Sequence, residues 1–238
     1  MITIVDAAEA RRALDAGELA CPEPGCVGIL RVWSRARSRQ VRGLDGTVVT
    51  LAPDRALCRA CRATHVLLPV GYLPRRGYDV EVIGAALLVA AEGAGYRRAA
   101  ARVDVPPSTV RGWLAALGAG AAALTARVAA IIEAAGDRLF PAQAPRARAG
   151  RALPEAVAAL GVAARAFVLT MVQPCPPRLG GPLTGIDYAG ALAERHRLQL
   201  HRELGVIDPA GALGGLRGWP LINVLSHGRL LTSAGPAG

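Results

Sequence analysis

CPEPGCVGILRVW, residues 21–33, and ALCRACRATHVLLP, residues 56–69, hold four of the five cysteines in this 238-residue chain. They fall in two tight pairs, Cys21/Cys26 and Cys58/Cys61, separated by a segment rich in strand-forming residues. Two close pairs at that separation form the pattern of a metal clip. In a reducing compartment such pairs read as metal ligands rather than disulfides.

Reading outward, a short helical lead, AAEARRALDAGEL, precedes the first pair. ILRVWSRARSRQVR and TVVTLAP then read as strands joined at Leu44-Asp45-Gly46, where Asp-Gly is a hairpin turn signal. The second pair follows, and after it THVLLPV, another strand-like run. Knuckle, hairpin, knuckle, strand is the layout of a zinc ribbon. Zinc takes four soft or borderline ligands in a tetrahedron, and two short cysteine loops supply them without a large core. The expectation is therefore a structural zinc on Cys21, Cys26, Cys58 and Cys61, in a module over 1–75. Four thiolates leave no open position for a catalytic water. The first pair is wider (C-x4-C) than the second (C-x2-C), and Pro22, Pro24 and Gly25 help it turn. His65 lies near enough in sequence to substitute as a ligand, but four cysteines already complete a set. The competing reading is a ribbon whose cysteines only pack. Cys175, alone in MVQPCPPRLGG, reads as an incidental thiol.

The segment 76–120 reads as three helices. YDVEVIGAALLVAAEGAG has Asp79 as an N-cap and a Gly93/Gly95 stop. YRRAAARV is short, with small Ala99 and Ala100 allowing close approach of a neighbour. VDVPP is a turn, and Pro107 opens STVRGWLAAL, where Val110, Trp113, Leu114 and Leu117 share one face. A short second helix and a tight turn before the third describe a helix-turn-helix. Its DNA contacts would be Arg97 and Arg98 on phosphates, and Ser108, Thr109, Arg111 and Gly112 facing the groove. An ordinary three-helix bundle with an arginine face is the plainer alternative.

GYRRAAARVDVPPSTVRGWL resembles the helix-turn-helix of transposase N-terminal regions and homeodomain-like bacterial proteins. With the cysteine pairs in front of it, the stretch from Cys21 to Leu117 resembles actinobacterial zinc-ribbon plus helix-turn-helix proteins of uncharacterised function, often described as transposase-like. The resemblance implies the four cysteines as ligands and Ser108, Thr109 and Arg111 as groove-facing. The pattern departs at Pro106, in place of a Ser or Thr cap, and at Gly112 within the helix.

The formal charge is +10 and every one of the 28 basic residues is arginine. Codon bias accounts for part of that surplus, so where the arginines fall matters more than their sum. Beyond the three helices, 121–140 reads as a helical extension, 141–154 as a Pro/Ala/Arg linker and 155–238 as a helical accessory region. No apolar stretch reaches the length of a membrane span, and the N-terminus lacks a secretory signal, so the expectation is a soluble cytoplasmic protein. Acids in the C-terminal half, Asp187 among them, show no strand-borne pattern, and His196 and His201 miss helical metal-pair spacing. The expectation is a non-enzymatic protein, mainly α with a small β zinc ribbon, a homeodomain-like three-helix unit and a helical C-terminal region. Its partner would be double-stranded DNA, in a mobile-element or transcriptional role, with a transposase or recombinase and a second copy of the chain as further candidates. The alternative is an adaptor for a transposase, recombinase or polymerase, without strong DNA binding of its own.

Overall fold

Ile2–Ile4 (β1) is only three residues long, yet all three are buried. They form a strand because partners flank them on both sides. β1 lies parallel to β6 (Thr64–Pro69) and to β7 (Val206–Ile207), with Ile2 opposite Leu67 and Thr3 opposite Val206. The computed structural model describes residues 1–134, 206–207, 218–225 and 230–231. The linker expected over 141–154, the helices expected between 155 and 204, and Cys175, Asp187, His196 and His201 lie outside the described residues.

After β1, Asp6 caps helix α1 (Ala7–Ala16) by accepting the Glu9 N–H at 2.7 Å, and Gly17 ends it at φ 76°. The left-handed conformation at that position is one that glycine adopts without a Cβ penalty. α1 buries Ala10, Ala13 and Leu14 against the sheet. The five-stranded sheet runs β2-β5-β6-β1-β7, where β2 is Leu30–Arg35 and β5 is Asp54–Cys58. β2, β5 and β6 are antiparallel neighbours. β3 (Arg39–Arg42) and β4 (Val48–Leu51) make a separate two-stranded sheet. Their turn closes with the Gly43 N–H on the Thr47 carbonyl at 2.8 Å, and Gly46 takes φ 82°. The Asp-Gly signal thus marks a real hairpin. The run expected as its single first arm instead divides into β2 and β3.

Three helices follow: α2 (Val80–Ala91), α3 (Tyr96–Val103) and α4 (Pro107–Ala134). Asp79 caps α2 by accepting the Val82 N–H at 2.9 Å, and Asp104 ends α3 at φ 50°. Val110, Trp113 and Leu117 of α4 pack on Val82, Ile83, Ala86 and Leu87 of α2 in one apolar cluster. Trp113 also meets Tyr78 edge to face, with centroids 5.3 Å apart.

The expected fold class needs correction. The described residues carry seven strands in two sheets, so the protein is not mainly α. Nor do they show the expected three-helix helix-turn-helix unit. α4 runs 28 residues, passing through Gly118 and Gly120 into an alanine-rich stretch that favours helix. The cluster is completed from far along the chain by helix α5 (Gly218–Leu225), whose Trp219 indole fills the space where a Cβ on Gly84 would lie. Asn223 donates to the Val70 carbonyl at 2.7 Å, and the Arg76 guanidinium to the Leu231 carbonyl at 3.1 Å. Among the described residues no helix is long and apolar enough to cross a membrane.

Asp79 caps α2 from a half-buried position that also faces the Asp45 carboxylate. Burial, reinforced by Asp45, raises its pKa against the helix N–H groups that lower it. A raised folded-state pKa means that the folded protein holds the proton more tightly than the unfolded chain. Stability is then lost as pH rises through the window above the ordinary aspartate value of 3.8. Asparagine keeps the cap without the charge. Asp79→Asn should therefore raise Tm at pH 7, with the gain shrinking as pH falls towards 4, whereas Asp79→Ala should lose about 1 kcal/mol at acidic pH as well. Thermal melts across that pH range check both.

Candidate metal centre

Each cysteine pair is shaped by its own backbone. In the first knuckle the Cys21 N–H donates to the Gly28 carbonyl at 2.8 Å and the Cys26 N–H to the Glu23 carbonyl at 3.0 Å. Gly25 turns the loop at φ 75°, and the Ala20–Ile29 bridge closes it. The second knuckle starts at the end of β5, where the Cys58 N–H donates to the Ala63 carbonyl at 2.9 Å and Arg62 turns at φ 65°. Pairing of β2 with β5 sets Leu30 opposite Cys58 and brings the knuckles face to face.

The four sulfurs converge, all within 4.8 Å of one another, and this set can hold a metal ion. The shortest approaches run between knuckles, Cys21 to Cys61 and Cys26 to Cys58, both at 3.6 Å. That is far beyond a disulfide bond of about 2.05 Å, and the four thiols are free. Cys21 and Cys58 are buried, Cys26 is half-buried and Cys61 is exposed. The thiols are electrostatically unlike. Burial pushes Cys21 up to about 12, while backbone N–H groups of Cys61 and Ala60 bring Cys58 down to about 7. A cation at the centre is the natural counterpart for four converging thiolates, two of them buried, and its binding displaces their protons.

His65, weighed above as a substitute ligand, stands beside the cluster. Its ring is buried, with Nε2 3.9 Å from Cys21 Sγ and 3.8 Å from Glu23 Oε1. Burial, helped by the N-terminal ammonium, lowers its pKa against the pull of Glu23, which favours a neutral ring. Gly28 is the residue that the spacing of the cysteines did not reveal. A Cβ there would lie 2.5 Å from Cys58 Sγ and 2.7 Å from the Ala60 Cβ. The only signal for it in the sequence is a glycine two residues past Cys26.

The residues expected to touch DNA lie apart from the sulfurs, on the helices. Arg97 and Arg98 are exposed in the first turn of α3, and Arg97 sits over the Tyr96 ring at 5.6 Å. At the start of α4, Ser108, Arg111 and Gly112 are exposed and Thr109 is half-buried. Of the arginines around the hairpin, Arg31, Arg35 and Arg37 are exposed. Arg39 and Arg42 are engaged instead. Arg39 donates to the Leu73 carbonyl at 3.0 Å, and Arg42 meets the Asp104 carboxylate at 2.5 Å and its carbonyl at 3.1 Å.

Gly28→Ala should force the two knuckles apart, and Gly71→Ala, which meets open space, is its control. The expected result is at least tenfold faster loss of bound metal to a chelator for Gly28→Ala, with the control unchanged. A colorimetric thiol and metal-release assay on the full chain reads both. Comparison with known proteins finds no protein family, no curated protein and no solved structure that matches this chain.

Proposed function

We propose that the protein binds DNA and that its sheet is stapled by one structural zinc ion held by Cys21, Cys26, Cys58 and Cys61. Zinc–sulfur bonds of about 2.3 Å in a tetrahedron place neighbouring sulfurs about 3.8 Å apart. The 3.6 Å approaches between the knuckles lie close to that spacing, and all four sulfurs fall within 4.8 Å of one another. Zinc supplies positive charge for four thiolates and cross-links two loops whose surrounding core is thin. With every position taken by sulfur it has no place for a reacting water.

The observation that carries DNA binding is a set of uncommitted arginines. Arg97, Arg98 and Arg102 of α3 and Arg111 of α4 are exposed, and among the described residues no ion pair joins them to a carboxylate. Guanidinium groups left free in this way suit phosphates, which they meet in bidentate fashion. Arg97 and Arg98 would neutralise the backbone. Arg111, near Ser108 and Thr109, is the group for a base edge.

Binding to a random-sequence duplex should weaken steeply between 50 and 200 mM salt. Arg97→Ala should lower affinity for all sequences alike and reduce the slope of log K against log salt by about 1. Arg111→Ala should cost about 1–3 kcal/mol on a selected site and less on random DNA. Metal analysis should give one zinc per chain. A wild-type chain that ignores duplex DNA at 50 mM salt would overturn the DNA reading, and a zinc-free chain with unchanged Tm would overturn the staple.

A further inference from the structure

β2 is the edge of the five-stranded sheet, and after the buried Leu30 its remaining five residues are exposed. Pairing with β5 slips one residue within it. Val32 lies opposite Ala56 and Ser34 opposite Arg55, so Trp33 is the extra residue of a β-bulge. A bulge re-aims a side chain away from the regular ladder, and such irregularities gather beside functional sites. Here the side chain is an indole left 58% exposed. The other two tryptophans, Trp113 and Trp219, are 2% and 6% exposed.

The stretch of sequence that carries that ring is basic, and the nearest carboxylate on the paired strand is Asp54, opposite Arg35. From Val27 to Leu44 the sequence carries five arginines and no carboxylate. Arg31 and Arg37 are exposed without an ion-pair partner among the described residues, and Arg35 reaches only Asp54, at 3.7 Å, with a side chain 74% exposed. An apolar peptide adding a strand to this edge would bury those guanidinium groups without counter-charges. A polymer that alternates anionic groups with flat rings meets both features at once.

We infer that Trp33, on this arginine-rich edge strand, forms a stacking platform for an unpaired base of single-stranded DNA. The inference rests on the DNA-binding reading above and assigns it a second contact surface, distinct from the helical arginines. Stacking of this kind is sequence-tolerant, because every base has a π face, and the flanking arginines track the phosphates.

The full-length, zinc-loaded protein is titrated with a 20-mer of oligo(dT) and, separately, with a 20-base-pair duplex. Both titrations read the anisotropy of end-labelled DNA, and unlabelled DNA is used to follow tryptophan emission. Oligo(dT) should quench the emission of the single exposed tryptophan. Trp33→Ala should weaken oligo(dT) binding about 5- to 100-fold, leave duplex binding within twofold, and retain its zinc. Trp33→Phe, which keeps an aromatic face, should recover most of the loss. Duplex binding with no quenching by oligo(dT) and no effect of Trp33→Ala would overturn the platform while leaving the DNA reading intact. Failure of the wild type to bind either DNA would overturn both. Concentration-dependent shielding of Trp33 from acrylamide without DNA would assign the edge to a second copy of the chain, and would also overturn the platform.

Discussion

Four thiols forced into one small volume set the terms for the N-terminal half of this protein. The core around them is built from modest pieces: Ile2, Ile4, Leu14, Leu19, Leu30 and Leu67, with Ala10, Ala13 and Ala56 filling between. Cys21 and Cys58 belong to that core, and Cys58 is fully removed from water. A site of this kind is difficult to tolerate half-formed. Ionised and without a cation, the buried thiolates repel one another. Protonated, they are small hydrophobes that cross-link nothing. The shape of both knuckles, the glycine behind Cys58 and the position of His65 become intelligible as ways of holding that cluster together.

Above this layer, the hairpin and the helices are tied by a single residue. Arg42 ends β3 and grips both the carboxylate and the carbonyl of Asp104, the left-handed residue between α3 and α4. A position that costs backbone strain is thereby supported from outside the helices. The cap at Asp79 joins in, since its N–H donates to the Arg42 carbonyl at 3.1 Å. The hairpin is thus a bracket for the start of the helical layer as well as a turn between strands.

What could be read from the sequence was local. Cysteine spacing announced the cluster, Asp45-Gly46 the hairpin, and Asp79 and Pro107 the starts of two helices, because each signal acts within a few residues of its effect. The features that sequence reading missed depend on distant partners. β1 is too short for any periodicity, and its neighbours are Leu67 to Pro69 and Val206–Ile207. The Trp33 bulge exists only relative to Ala56 and Arg55. A mainly α expectation arose because alanine-rich helices are conspicuous in a sequence, whereas strands of two to six residues are not. The helix-turn-helix expectation failed similarly, since neither the length of α4 nor the arrival of α5 is written near the turn.

The indole of Trp219 in the slot at Gly84 has a bearing on synthesis. The residue that fills the slot is made 135 positions after the residue that forms it. At about 5–20 residues per second, the nascent chain carries an unplugged apolar helix face for roughly 7–27 seconds. β1 waits longer still for β7, since Val206 is made 203 positions after Thr3. The parts whose contacts are close in sequence, the knuckles and the hairpin, have no such wait. Assembly on the ribosome is therefore expected to be staged, with the sulfur cluster able to close early and the helical core completed only after α5, Leu230 and Leu231 have emerged.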